Sequence, residues 1–313
     1  MSSFALKQIT CNLKIPVMAA PMFIVSTPNL VIEQCKSGII GSFPALNARG
    51  DLDKWLQHIH STRSNLISGG LKFLPPFAVN QIVHPTNKRL FEDMEIIVKN
   101  KVPIVITSLG ARKDINNAVH SYGGIVFHDV TTNTFAKKAI EKGADGLVAV
   151  AAGAGGHAGG QSPFALMQEI REWYDGPVAL SGAISNGVGI AAAQKLGADL
   201  AYIGSPFIAT HEANASYDYK QMIVDSTAED IVYTDYFTGI KGNYLKASIK
   251  NSGVDIDSPS ITRRWLASEK IGGKPKPWST IWGCGQGISN VKQVIGTDVL
   301  VQRLAREYKL ATQ

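Results

Sequence analysis

Short apolar runs alternate along this chain with longer stretches whose apolar positions recur every three or four residues. The short runs, bounded by glycine, proline or polar residues, fit strands buried on both faces. The longer stretches fit helices with one buried stripe. A first strand is predicted over residues 17–22, Val-Met-Ala-Ala-Pro-Met, ending in a tight turn. Ser26 or Thr27 then stands where a helix is capped, with Pro28 at its first position, and that helix carries Leu30, Val31 and Cys35 before stopping at Gly38. Further strands are predicted over 39–42, 77–80, 102–107, 125–128, 146–151, 177–181 and 200–204. Helices alternate with them over 51–61, 85–100, 113–122, 132–142, 163–173 and 187–196, and a final amphipathic helix covers 291–309.

Residues 138–145 (KAIEKGAD) are echoed by 192–199 (AAQKLGAD), each a helix end, a glycine stop and an aspartate leading into a strand. That is the repeating unit of a parallel sheet with helical returns. Eight such strands point to an α/β fold of the (β/α)8 TIM-barrel type. An open doubly wound sheet would carry a G-x-G-x-x-G turn after its first strand, and none is present. From residue 210 to 287 the alternation breaks and aromatics gather: Tyr217, Tyr219, Tyr233, Tyr236, Phe237, Tyr244, Trp265, Trp278 and Trp282. A helical lobe over the barrel mouth is expected there, leaving residues 1–209 and 288–313 as the barrel.

With 313 residues, 45% of them hydrophobic and 18% charged, the chain can bury one large core, and disorder is not expected. The formal charge of +6 is scattered; only residues 241–250 and 270–276 cluster it, without interleaved aromatics. That pattern fits solvated surface better than a nucleic-acid interface, and a positive excess suits an anionic substrate or cofactor. Cys11, Cys35 and Cys284 are far apart, odd in number and lack metal-ligand spacing, as expected of a reducing cytosol. Neither a basic-then-apolar leader nor a run of membrane-spanning length is present, so a cytoplasmic protein with no membrane partner is expected.

Candidate chemistry centres on residues 143–160, where a buried apolar strand runs into a loop of Gly and Ala that carries His157. Glycines at 153, 155, 156, 159 and 160 allow positive φ and let a flat ligand lie against the backbone. Two readings fit: a strand end presenting an imidazole on a glycine platform, or a glycine loop with an incidental histidine. The seventh strand ends in Ser181-Gly182-Ala183, with Asn186-Gly187 at a helix start, and the eighth in Gly204-Ser205-Pro206. These stand where barrels hold phosphate on backbone N–H groups, and the site is favoured over a pair of ordinary turns. Asn80, at the end of the third strand, suits either the edge of a heterocycle or a structural cap. Met22 suits core filling or a lid over an aromatic ring. His128, after the fifth strand, is a candidate second polar contact at the mouth. His58, His60, His84, His120 and His211 are read as structural or solvated, and Cys284 has no activating partner in view.

The stretches Ala154-Gly155-Gly156-His157-Ala158-Gly159, Ser181-Gly182-Ala183-Ile184 and Tyr202-Ile203-Gly204-Ser205-Pro206-Phe207 resemble the nitronate monooxygenase family, formerly called 2-nitropropane dioxygenase. Residues 17–22 and Trp282-Gly283-Cys284-Gly285-Gln286-Gly287 resemble two further motifs of that family, so the match spans nearly the whole chain. The resemblance implies an FMN-dependent barrel that oxidises alkyl nitronates with O2 to carbonyl compound and nitrite, with His157 as the catalytic residue. It implies FMN contacts at Met22, Asn80 and Gly155, and phosphate contacts at Gly182, Ala183, Gly204 and Ser205. Ala20, Pro21, His128, Ala154, Gly156, Ser181 and, near the ring, Gln286 complete the expected cofactor set.

There are departures. Ala183 replaces a glycine, which is expected to be tolerated only at negative φ; Ser205 replaces a common Thr and keeps the hydroxyl; Val150 replaces a polar residue; and Asp129 stands where some members carry Lys. The alternative activity on the same frame is NAD(P)H-dependent flavin reduction of quinones or of enoyl-acyl-carrier-protein, and a third reading is a flavin carrier without turnover. The expected partners are a small nitronate or nitroalkane and O2, with a homodimer left open.

Overall fold

The computed structural model describes residue 10, residues 12–255 and residues 278–313. Cys11, Trp265 and the 270–276 basic cluster lie outside the described residues. In chain order the strands are β1 (Val17–Ala19), β2 (Gly41–Pro44), β3 (Phe77–Ile82), β4 (Ile104–Ser108), β5 (Ile125–Val130), β6 (Gly146–Val150), β7 (Gly156–His157), β8 (Val178–Ser181), β9 (Leu200–Ile203), β10 (Ile231–Thr234) and β11 (Gly242–Leu245). Eight of them form one parallel sheet in the order β1-β9-β8-β6-β5-β4-β3-β2. A parallel bridge from Met18 to Ile40, with the Ala19 N–H donating to the Ile40 carbonyl at 2.8 Å, joins the two ends. The fold is the expected TIM barrel.

Side chains on each strand alternate between the barrel interior and the helix layer. Met18, Ile40, Ala78, Ile104, Ile106, Phe127, Val148, Ala179, Leu200 and Tyr202 fill the interior. Their strand neighbours, such as Val79, Val105, Val126, Leu147 and Leu180, pack outward against the helices. Full burial of each such side chain stabilises by about 1.5–3 kcal/mol, and this double burial explains why the strands read as unbroken apolar runs.

The internal echo has a structural cause. Asp145 accepts the Val126 N–H at 2.8 Å and the His120 ring at 2.7 Å. Asp199 repeats the arrangement, accepting the Val178 N–H and the Arg171 guanidinium, both at 2.8 Å. Each aspartate therefore ties the start of the preceding strand to the helix beneath it. Gly143 and Gly197, at φ 93° and 98°, turn the chain into position.

Several predicted boundaries moved, the last helix among them: expected from residue 291, it begins at Thr297. The helix expected over 85–100 begins at Leu90, because Asn87 holds a turn by donating to Ile82 and accepting from the Arg89 N–H. The helix expected over 51–61 continues as Leu52–Ser68, since no breaker appears before Gly69. The second strand is shifted to Gly41–Pro44. After residue 209 the chain holds helices Tyr217–Asp225 and Lys246–Asn251 and, in addition, β10 and β11. These two strands pair antiparallel with each other, and β11 pairs with β7. The last helix, Thr297–Thr312, packs on Gly187–Lys195. No helix among the described residues is long and apolar enough to cross a membrane.

Candidate functional site

A cavity of about 360 Å³ opens at the C-terminal ends of the barrel strands, where such folds keep their chemistry. A shallower hollow of about 440 Å³ on the barrel flank, lined by Lys54, Trp55, His58 and Glu212, gathers no comparable set of strand ends. Inward residues one step above the apolar interior line the mouth: Ala20, Asn80, Ser108, Asp129, Val150 and Ser181, with Tyr202 and Gly204 beside them. Pro21 and Met22 line it from the turn after β1.

Three of these form a directed chain. The Asn80 Nδ2 group donates to the Ile106 carbonyl at 3.0 Å and to Ser108 Oγ at 2.6 Å. The carbonyl partner fixes which end of the amide is nitrogen, and both its protons are then committed. Oδ1 is the atom Asn80 has left to offer, so of the donors and acceptor read from sequence only the acceptor remains. Ser108 Oγ in turn donates to Asp129 Oδ2 at 2.5 Å. Desolvation pushes the Asp129 carboxyl up to about 6, with the Ser108 hydrogen bond pulling the other way.

His128 does not reach this site. It is buried on the opposite face of β5, where its Nδ1 meets Thr107 Oγ1 at 2.6 Å, and burial drives its pKa down to about 4. Its neighbour Asp129 lines the cavity instead. Period-two alternation decides this: with Phe127 inside, residue 128 must point out and 129 in. That signal was present in the sequence, and applying it to β5 would have found Asp129.

His157 reaches the cavity from β7, a two-residue strand outside the barrel sheet. It lies on β7, where Gly242 pairs with it across β11 and its ring packs edge-on against Trp278 with centroids 5.4 Å apart. Its Nε2 meets Thr238 Oγ1 at 3.1 Å. Burial lowers the imidazole pKa below its ordinary value, so the ring is neutral at neutral pH. The loop before it is anchored by Asn243, whose Nδ2 donates to the Ala154 carbonyl at 2.7 Å, and the loop after it by the Tyr233 hydroxyl on the Ala158 carbonyl at 3.0 Å.

The glycines serve this packing as much as an open platform. A side chain at Gly155 would sit 2.8 Å from the Gly285 nitrogen, and one at Gly285 would sit 2.6 Å from the Gly153 carbonyl oxygen. Two glycine-rich backbones thus lie directly against each other. Cys284 lines the cavity between them with its thiol pKa pushed up by burial, which suits a packing role and not a nucleophile.

Next to the cavity, a narrow pocket is walled by Gly153, Ala154, Gly182, Ala183, Gly204, Ser205, Gly285 and Gly287. The two strand-end turns meet there as expected, but their donors differ from the sequence reading. The Gly187 N–H is taken by Glu307 Oε2 and the Gly189 N–H by Asn186 Oδ1, both at 2.8 Å, so neither of these two donors is free for a ligand. Ser205 Oγ accepts the Gly285 N–H at 2.7 Å. Ala183 has φ 54°, contrary to the expectation of a negative φ; its methyl is carried in the left-handed region. Gln286 is exposed and lies against Gly153, beside this narrow pocket and away from the cavity lining. Its backbone N–H donates to the Gly153 carbonyl at 2.9 Å.

The site therefore joins a partly apolar cavity, a polar row on its floor, a neutral imidazole and a narrow side pocket walled by backbone. Those features fit a flat heterocycle carrying one phosphate: an acceptor for a ring N–H at Asn80, and strand-end turns with the Ser181 and Ser205 hydroxyls beside the side pocket. Among the described residues no group of acidic, cysteine and histidine side chains is arranged to hold a metal ion.

A family model described as nitronate monooxygenase matches residues 5–252. A nitronate monooxygenase of Paraburkholderia phytofirmans is 26% identical over 281 residues, covering 78% of this chain and 77% of that protein. One from Neurospora crassa is 26% identical over 245 residues, covering 67% and 64%. Among solved structures, FabK from Thermotoga maritima superposes with a TM-score of 0.79 at 21% identity, covering 98% of this chain and 96% of that one. A nitroalkane oxidase from Streptomyces ansochromogenes superposes with a TM-score of 0.78 at 22% identity, covering 98% and 99%. These two show the shared fold.

Proposed function

The chain belongs to the nitronate monooxygenase family of oxidoreductases, and from that premise we propose that it binds FMN and oxidises alkyl nitronates with O2 to carbonyl compound and nitrite. The observation that carries this reading is that the cavity lined by His157 and by the Asn80–Ser108–Asp129 row adjoins the turn-lined side pocket, the two sharing Ser181, Gly204 and Ser205 in their walls. Bound there, FMN supplies the electron-accepting chemistry, while the protein orients the substrate and sets its charge. The turns at 182–183 and 204–205 would hold the phosphate, and Asn80 Oδ1 would accept from the ring edge. Neutral His157 takes the α-proton of a neutral nitroalkane; a pre-formed nitronate makes no such demand. Trp278 packs edge-on against the imidazole and shields that side of it from water.

The test is to heat-release the cofactor of the purified protein, identify it by mass, and then mix the holoprotein anaerobically with an alkyl nitronate or with NADPH. FMN that is bleached by nitronate and ignored by NADPH supports the reading. FAD, an absent flavin, or bleaching by the nucleotide alone overturns it, the last in favour of a reductase of quinones or enoyl thioesters.

A further inference from the structure

The hydrogen bonds around His157 fix more than its position. Thr238 lies 81 residues further along the chain, and its Oγ1 is 3.1 Å from His157 Nε2. A threonine hydroxyl has one proton to give. The Ile240 carbonyl, 3.0 Å away, can only accept, and we take it as the acceptor of that proton, while the Ile240 N–H reaches back toward the same oxygen at 3.4 Å. With its proton committed, Thr238 Oγ1 meets the imidazole as an acceptor. The ring must then supply the proton, from Nε2. A neutral imidazole has one N–H, so its lone pair lies on the other nitrogen, Nδ1. The backbone pairing of His157 with Gly242 and the edge-on contact with Trp278 hold the ring in the orientation that keeps this bond.

We propose that Thr238 is a positioning residue that locks His157 into its Nε2–H tautomer and so makes Nδ1 the nitrogen that acts on substrate. Nothing in the sequence marks Thr238, which sits on a turn between β10 and β11. The catalytic half of this inference rests on His157 being the base proposed above; the tautomer itself does not.

The experiment separates the two. In the holoprotein labelled with 15N-histidine, the His157 ring signals, assigned by their loss in His157→Gln, report which nitrogen carries the proton. Wild type should show Nε2–H with Nδ1 bare. Thr238→Val should lose that preference, and Thr238→Ser, which keeps the hydroxyl, should restore it. Turnover of a neutral nitroalkane should fall about 10- to 100-fold in kcat in the valine variant with a smaller change in KM, as for lost orientation of a base. An Nδ1–H tautomer or an imidazolium in the wild type overturns the proposal without any variant, as does an Nε2–H signal that persists in Thr238→Val. A tautomer that shifts as stated while nitroalkane turnover is unchanged upholds the lock and sinks the reading of His157 as base.

Discussion

The floor of the cavity and the lobe that brings His157 to it are built in different ways. Asn80, Ser108 and Asp129 stand in the C-terminal halves of β3, β4 and β5, which are neighbours both in the chain and in the sheet. Each is placed by the alternation of its own strand, and their hydrogen bonds run from one strand to the next. His157 sits on a two-residue strand whose partners come from far along the chain: β11, Thr238 and Trp278. The floor inherits its geometry from the barrel, whereas the imidazole depends on long-range contacts to a separate sheet. Disturbing β11 is therefore expected to displace the imidazole before it displaces the floor.

The sharpest way to break that comparison is His157→Ala. The variant should retain FMN while kcat/KM for neutral nitroalkanes falls about 10²–10⁴-fold and nitronate oxidation falls less. Flavin content by absorbance and the two rate constants measure this; equal losses on both substrates would make His157 an anion binder.

Asp129→Asn probes the floor. The folded carboxyl titrates at about 6, above its ordinary 3.8, so the folded state binds the proton more tightly than the unfolded one. The group's contribution to stability is therefore full below pH 3.8 and is lost as pH rises toward 6, leaving a penalty at neutral pH. Roughly two units at 1.36 kcal/mol each make that penalty at most about 3 kcal/mol. The flavin-free asparagine variant should be more stable than wild type in denaturant at pH 7 and equal to it near pH 4; equal midpoints at pH 7 would show that Asp129 is not desolvated.

At the seam between the two regions, Gly285→Ala puts a Cβ 2.6 Å from the Gly153 carbonyl oxygen and 3.0 Å from the Gly155 nitrogen. Backbone on both sides leaves little room to give, so a loss of about 1–3 kcal/mol is expected in thermal or chemical melts. An unchanged melt would mean the two glycine loops are not held against each other. The smallest effect is Ala183→Gly, which relieves the left-handed φ of 54°. Removing a cost of about 1–2 kcal/mol while adding the chain entropy of glycine should stabilise by up to about 1 kcal/mol. A destabilised glycine variant would show that the methyl packs usefully against its neighbours.

Much of this was legible in the chain because the governing interactions are local. Apolar runs, glycine stops and the repeated Gly-Ala-Asp gave the strands, the helices and their alternation, since each is written over a few adjacent residues. The strand-end candidates Asn80, Ser181 and Gly204 were found the same way. Where reading failed, the cause was specific. Nearness to the strand end favours His128, whereas the period of two through Phe127 turns Asp129 toward the cavity. The Gly187 helix start looked free because Glu307, which occupies it, lies 120 residues away.

By itself the sequence determined the barrel, the order of its strands and the residue types at their ends, because short-range periodicity and turn chemistry specify those features. Only the tertiary structure decided that the 210–287 stretch lends a strand to His157, that Thr238 takes its Nε2 and that Gly155 meets Gly285 backbone to backbone. Those contacts join segments far apart in the chain, and nothing within reach of any one of them encodes its partner.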